Sequence, residues 1–323
     1  MEDEIYNFIN HKVDECLELK TRYEQNKHFS NIKSNLPIRP LKMTLNTAVF
    51  YNTETDTVLK RIIINKKAPI YEDKIALKMN HENVVKSYRS EIRTYKDKNK
   101  ETQTILWLYM EYLPVKLDQS SISQDEDKIR NVAFDLLKGL NYLHMNDIAH
   151  LDLKISNIMG FRIDDKINYK IIDMGYSREI KDEVQIPSKN YGTFPYKPPE
   201  NVLRNIHGKK GDIWCVGAIL LFLRMGQTPF YTKDNKRHKE LYDRFIVGDY
   251  KIKYPSDISE ELKDLIKACM QLNRHKRPTT DELLQHRFFN KENGLLFGYS
   301  ESSEYYDSGY ETSDESVEFT SEL

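Results

Sequence analysis

From about residue 115 the hydrophobic pattern becomes helical, after a strand-rich portion with one helix, and that change points to a two-part architecture. Between residues 44 and 79 apolar and polar residues alternate as strands do: TAVFYN, a polar turn TETD, then TVLKRIIIN and KIALKM. A helical stretch is expected around 82–96, followed by an apolar strand from Ile105 to Tyr112. Beyond residue 115 the spacing is helical. Ser123-Gln124-Asp125-Glu126 reads as a capping box before Ile129, Val132, Ala133, Leu136, Leu137, Leu140 and Leu143. Residues 212–223 are apolar nearly all round, as in a helix buried on every side, and further helices are expected near 237–247, 259–271 and 279–286. The fold class is α+β: a small strand-rich lobe before a larger helical lobe, with a cleft between them.

The two ends differ from this body. Residues 1–30 form one expected amphipathic helix with Ile5, Phe8, Ile9, Val13, Leu17 and Tyr23 near one face, and 31–40 carry two prolines and read as a linker. The expected divisions are therefore 1–40 extension and linker, 41–113 first lobe, 114–290 second lobe and 291–323 acidic, disordered tail. Residues 299–323 hold eight acidic and no basic residues, leaving 49 basic against 42 acidic residues, net +7, before them. Such a tail could bind a partner or the basic body, or merely solvate the chain; the N-terminal helix could pack on the lobe or bind a partner. No basic run is interleaved with aromatics, which argues against a nucleic-acid surface. Apolar residues are 39% of the 323, yet the longest apolar stretch, Ile213 to Leu223, is too short to span a membrane. The acidic start MEDEIYNF shows no secretory signal, and three scattered cysteines suit a reducing interior, so an intracellular site, cytoplasm or nucleus, is expected.

Chemistry concentrates after the capped helix. His150-Leu151-Asp152-Leu153-Lys154-Ile155-Ser156-Asn157 is followed by Asp173-Met174-Gly175, Gly192-Thr193-Phe194-Pro195-Tyr196, Pro198-Pro199-Glu200, Asp212-Ile213-Trp214 and Arg277-Pro278. In this order the series resembles the eukaryotic-type protein kinases over roughly residues 45–290. The resemblance implies ATP and Mg²⁺ as cofactors and transfer of the γ-phosphate to a protein hydroxyl. Phosphoryl transfer needs positioning and charge neutralisation more than covalent help. Asp152 is thereby implied as the base, Lys154 as the cation beside the transferring phosphate, and Thr193 as the bridge between them. Asn157 and Asp173 supply hard oxygen ligands suited to Mg²⁺, and Gly175 would let the backbone turn after the metal-binding carboxylate. Glu200 is implied to pair with Arg277, and Asp212 to hold the catalytic-loop backbone.

For the nucleotide, Ile75-Ala76-Leu77-Lys78 resembles the family's V-A-I-K, making Lys78 the phosphate-holding lysine and Glu91 its carboxylate partner in preference to Glu82. Met110-Glu111-Tyr112-Leu113 resembles the gatekeeper and hinge, with backbone groups of Glu111 and Leu113 on the adenine edge and Ala76 and Met159 on its two faces. These apolar residues would serve equally as ordinary core. Lys154 and the Gly192–Tyr196 motif resemble Ser/Thr kinases rather than Tyr kinases.

The chain also departs from the family. No glycine occurs in residues 1–138, so the Gly-rich loop is missing, and its place falls to Phe50–Val58, where Thr and Asn side chains could act as donors. Leu151 replaces the arginine that meets an activation-loop phosphate, which implies independence of such a phosphate; Met174 replaces the usual Phe. An active Ser/Thr kinase acting on protein substrates is the first expectation. A pseudokinase or weakly active scaffold for protein partners is the alternative.

Overall fold

Period-two burial builds the first lobe. The computed structural model describes residues 2–64, 72–186, 191–228, 230 and 238–290; the acidic tail lies outside them. Strands β1 (Ile38–Met43), β2 (Thr47–Asn52), β3 (Thr57–Ile63), β4 (Ser87–Lys96) and β5 (Thr102–Glu111) form an antiparallel sheet in the order β1-β2-β3-β5-β4. Both faces are covered. Ala48, Phe50, Leu59, Ile105, Trp107 and Tyr109 point to one face, where they meet Ile5, Tyr6, Ile9, Val13 and Cys16 of helix α1 (Glu2–Leu17) and Phe29 of α2 (Arg22–Ser30). Leu108, one residue out of phase, joins the other core with Ile75, Ala76 and Met79.

The N-terminal helix is two helices, because Thr21 caps the second through a capping box with Glu24. Its role is to roof the sheet. Arg61, 1% exposed, donates from Nε to Asn10 Oδ1 at 2.7 Å and from NH2 to the Tyr95 hydroxyl at 2.9 Å. The expected linker is partly strand, since β1 already begins at Ile38.

Two elements exchange type. The segment KIALKM, read as a strand, holds helix α3 (Glu72–Ala76). Its first turn carries Glu72 and Asp73, which complement the helix dipole, while Ile75, Ala76 and Met79 are buried at helical spacing. The stretch 82–96, read as a helix, is largely β4. Glu91, Arg93 and Tyr95 alternate along it, paired with Trp107, Ile105 and Gln103 of β5. Its charged side chains suit the edge of a sheet.

The second lobe is helical. After β6 (Val115–Lys116) comes α4 (Glu126–Met145), capped by Asp125, whose carboxylate accepts the Asp127 and Lys128 N–H groups at 3.1 Å. Ser123 is therefore not the cap, and Glu126 instead accepts the Ser259 N–H at 2.9 Å. Strands β7 (Ile148–Ala149), β8 (Ile158–Ile163), β9 (Lys166–Ile171) and β10 (Arg178–Glu179) carry the intervening loops. Helices α5 (Pro199–Arg204), α6 (Lys209–Met225), α7 (His238–Ile246), α8 (Glu260–Cys269) and α9 (Thr280–Leu284) complete the lobe. The apolar α6 is its axis. A Cβ on Gly217 would lie 2.6 Å from Met270 Cγ, so glycine is what lets α6 approach the end of α8 this closely. Among the described residues no helix is long and apolar enough to cross a membrane.

Candidate active site

The loop between β7 and β8 is held by a buried carboxylate. Asp212, on the first turn of α6 and 1% exposed, accepts the N–H of His150 at 2.8 Å and of Leu151 at 2.9 Å, and also bonds His144 Nε2 at 3.0 Å. These bonds fix Leu151 at φ 65°, a left-handed conformation that a leucine rarely adopts. Leu151 then packs with Ala149 and Ile180, with Ile186 and Tyr191 alongside. Below this segment, Glu200 and Arg277 form a two-pronged pair at 2.6 and 2.8 Å with Arg277 1% exposed.

So anchored, the loop presents a closed triangle. Lys154 Nζ donates to Asp152 Oδ2 at 2.6 Å and to Thr193 Oγ1 at 2.7 Å, and the Thr193 hydroxyl donates to Asp152 Oδ1 at 2.7 Å. Asn157 follows on a short 3₁₀ turn, and its Nδ2 donates to the Asp152 carbonyl at 2.9 Å. That bond fixes the amide orientation and leaves Asn157 Oδ1, though buried, without a hydrogen-bond partner. The Ile172 N–H donates to the Asn157 carbonyl at 2.9 Å, which brings Asp173 alongside. Asp173 is itself left-handed, φ 69° and ψ 80°. The turn expected of Gly175 is thus made one residue pair earlier. At Gly175 a Cβ would sit tightly, 3.2 Å from Asp173 Oδ1, and would touch Glu72 Oε2 at 3.4 Å.

The first lobe closes on this carboxylate with Lys60 of β3. Its Nζ donates to Asp173 Oδ1 at 2.8 Å and to Glu72 Oε1 of α3 at 2.5 Å. Burial alone would raise Asp173, but Lys60, with smaller contributions from His150 and Lys42, holds it well below the usual carboxylate range. Burial would likewise lower Lys60; Glu72 and Asp173 override it and push the ammonium up. Glu72 is raised, chiefly by burial and further by the nearby Asp173 charge.

Lys60 and Glu72 therefore stand where Lys78 and Glu91 were expected. Lys78 lies just past α3, exposed, and pairs with Glu179 of β10 at 2.9 Å. Glu91 lies on β4 under α1, bonded to the Tyr6 hydroxyl and to Arg93 Nε at 3.0 Å. Ala76 is a core residue of α3 and cannot face a base from the sheet. The cleft-facing positions on the sheet are Val49 and Val58, in register with Lys60 and Tyr51. The string Ile75-Ala76-Leu77-Lys78 matched the motif in letters; Val58-Leu59-Lys60 matched it in place, as the third strand of the sheet. A helix-start signal, Glu72-Asp73 ahead of helically spaced Ile75, Ala76 and Met79, distinguishes the two.

The expected hinge lies at the end of β5. Met110 pairs with Val58 and Ser87. The Glu111 carboxylate is occupied by Lys170 Nζ at 2.7 and 2.9 Å and by the Lys86 N–H at 2.7 Å, while its own N–H donates to the Lys86 carbonyl at 3.0 Å. Leu113, just past the strand, has no backbone hydrogen-bond partner among the described residues. Met159 of β8 is half-buried opposite Lys116 and Lys170. The segment Phe50–Val58, expected to stand in for the glycine loop, is instead the β2–β3 turn, closed by Asn52 Oδ1 accepting the Glu54 and Thr55 N–H groups at 3.0 and 3.2 Å. The β1–β2 turn, residues 44–46, occupies the glycine-loop place.

The donors present suit one kind of metal. Among the described residues no group of three or more His, Cys, Asp and Glu side chains could hold an ion. One carboxylate and one buried, unpartnered amide oxygen suffice only for an ion that takes its other ligands from phosphate and water, as Mg²⁺ does.

Comparison with known proteins identifies the family. Residues 49–289 match the protein kinase domain family. The chain belongs to that family. It is 29% identical over 196 residues to the serine/threonine-protein kinase CLA4 of Candida albicans, covering 59% of this chain and 20% of that one. It is 28% identical over 246 residues to the serine/threonine-protein kinase polo of Drosophila melanogaster, covering 73% and 40%. Sperm motility kinase 2B of Mus musculus is 36% identical over 172 residues, covering 53% and 34%. The chain thus spans less than half the length of each of these relatives. The N-terminal helices and β1 lie before the matched residues.

Proposed function

We propose that the protein transfers the γ-phosphate of ATP, with Mg²⁺, to serine or threonine hydroxyls of protein substrates. The observation that carries this reading is the triangle of Asp152, Lys154 and Thr193, set beside an unpartnered Asn157 Oδ1 and the Lys60-bound Asp173. Asp152 accepts the hydroxyl proton, Lys154 offsets charge on the transferring group, and Lys60 holds the nucleotide phosphates. Asn157 and Asp173 would hold the Mg²⁺, which when bound would supply charge neutralisation for the phosphates. Glu111, Leu113, Met110 and Met159 border the base, with Val49 and Val58 in place of Ala76. The apolar seat of Leu151 orders the following segment without a phosphate, so activity does not wait on phosphorylation there.

One observation favours a second reading, a binding scaffold: the glycine-free β1–β2 turn. Purified protein incubated with Mg²⁺, γ-labelled ATP and a generic protein acceptor separates the two. Label on serine or threonine, and none without Mg²⁺, supports the kinase. No transfer to any acceptor or to itself across metal concentrations supports the scaffold, and label on tyrosine alone contradicts the hydroxyl class.

A further inference from the structure

A β-bulge in the first strand aims a second lysine at the nucleotide cleft. Pro40 pairs with Phe50, but Lys42, not Leu41, pairs with Val49, and Met43 with Ala48. Phe50 and Ala48 belong to the face under α1, and so does the buried Met43. Unbroken alternation from Pro40 would put Lys42 on that covered face. The extra residue, Leu41, is left exposed at 46%, and Lys42 is moved to the other face. Val49 in turn pairs with Lys60. Lys42, Val49 and Lys60 therefore form one cross-strand row on the cleft side. Adjacent strands lie about 4.8 Å apart, which sets the Lys42 backbone about 10 Å from that of Lys60.

The turn beyond is closed on itself. The Thr44 and Thr47 hydroxyls bond each other at 2.7 Å, Thr44 Oγ1 accepts the Thr47 N–H at 3.1 Å, and the Thr44 N–H donates to the Thr47 carbonyl at 2.8 Å. Counting back from Val49, Lys42, Thr44 and Thr47 fall at the three glycine positions of G-x-G-x-x-G-x-V. Both threonine N–H groups and one of the two hydroxyls are spent on the hairpin. Lys42 is exposed, and among the described residues its ammonium has no hydrogen bond or ion pair. Its charge nevertheless reaches the Asp173 carboxylate.

We infer that Lys42 binds the ATP phosphates, supplying by a side-chain ammonium the contact that glycine-loop amides would otherwise make. The inference rests on the nucleotide reading of the cleft. It is tested by calorimetric titration of the full chain with ATP and, separately, adenosine, for the wild type, Lys42→Met and Lys42→Arg. Lys42→Met is expected to weaken ATP at least tenfold (about 1.4 kcal/mol at 25 °C) and to leave adenosine unchanged. Lys42→Arg keeps the cation and should stay within about threefold of wild type. If the wild type binds ATP more tightly than adenosine and Lys42→Met does so equally, the inference falls while the nucleotide site stands. If Lys42→Met weakens adenosine as much as ATP, the residue shapes the site without touching phosphate, and the inference falls. If the wild type binds neither ligand, the nucleotide reading fails and takes the inference with it.

Discussion

Lys60 Nζ lies 2.8 Å from Asp173 Oδ1, joining the third strand of the first lobe to the carboxylate that follows β9 in the second. The same ammonium holds Glu72 of α3, so one cation ties together sheet, helix and second lobe.

Lys60→Met and Lys78→Met should therefore part company. Loss of Lys60 leaves the buried Glu72 and the half-buried Asp173 without their cation and would remove the proposed phosphate contact, so phosphotransfer should fall by about a hundredfold or more. Lys78 is an exposed partner of Glu179, and its loss should leave transfer near wild type and stability within about 1 kcal/mol. Steady-state rates of both variants decide it. An inactive Lys78→Met with an active Lys60→Met would reverse the assignment.

Arg277→Met should destabilise the protein by about 3–5 kcal/mol, because Glu200 would remain buried without its partner. Urea unfolding measures this. A loss below about 1 kcal/mol would mean that the pair does not fasten α5 to the rest of the second lobe.

The second lobe was more legible in the sequence than the first. Its groups lie in short contiguous motifs, as with Asp152, Asn157 and Asp173, so the family resemblance points to them residue by residue, and the structure brings the three together. Lys60 and Glu72 meet only through strand order and helix placement. Lys78 carries the motif's letters but follows a helix that starts at Glu72, and the expected places of Glu91 and Ala76 depend on that match. β4 lacks the apolar alternation of a strand because the face it turns to α1 carries Glu91, Arg93 and Tyr95, which meet α1 through polar bonds. The bulge at Leu41 has no sequence signature of its own; only the pairing register reveals it.

Ile9→Ala should cost about 2–5 kcal/mol. Ile9 is wholly buried between α1 and the sheet, in the cluster that holds Trp107. Thermal unfolding followed by tryptophan fluorescence reads the loss. An unchanged midpoint would mean that α1 is not part of the folded lobe.

Stability should fall in alkali. Burial, reinforced by the Glu91 carboxylate, pushes Tyr6 up to about 12; burial also pushes Tyr95 and Tyr196 up to about 12. Unfolded tyrosines release their protons near pH ~10. Above that pH the unfolded state binds fewer protons than the native one, so stability is complete below about pH 10 and declines towards 12. Absorbance at 295 nm checks this: at pH 11 some of the 21 tyrosines should stay protonated in the native protein and ionise on adding guanidinium. Complete ionisation near pH 10 in the native state would contradict the burial.

Asp152→Asn tests the catalytic assignment most directly. The amide keeps the shape of the triangle with Lys154 and Thr193 but cannot take a proton. Single-turnover phosphotransfer should drop by about 10²–10⁴-fold, with ATP affinity within a few-fold of wild type and the unfolding midpoint little changed. A variant that binds ATP and transfers phosphate as fast as the wild type would show that Asp152 is not the base.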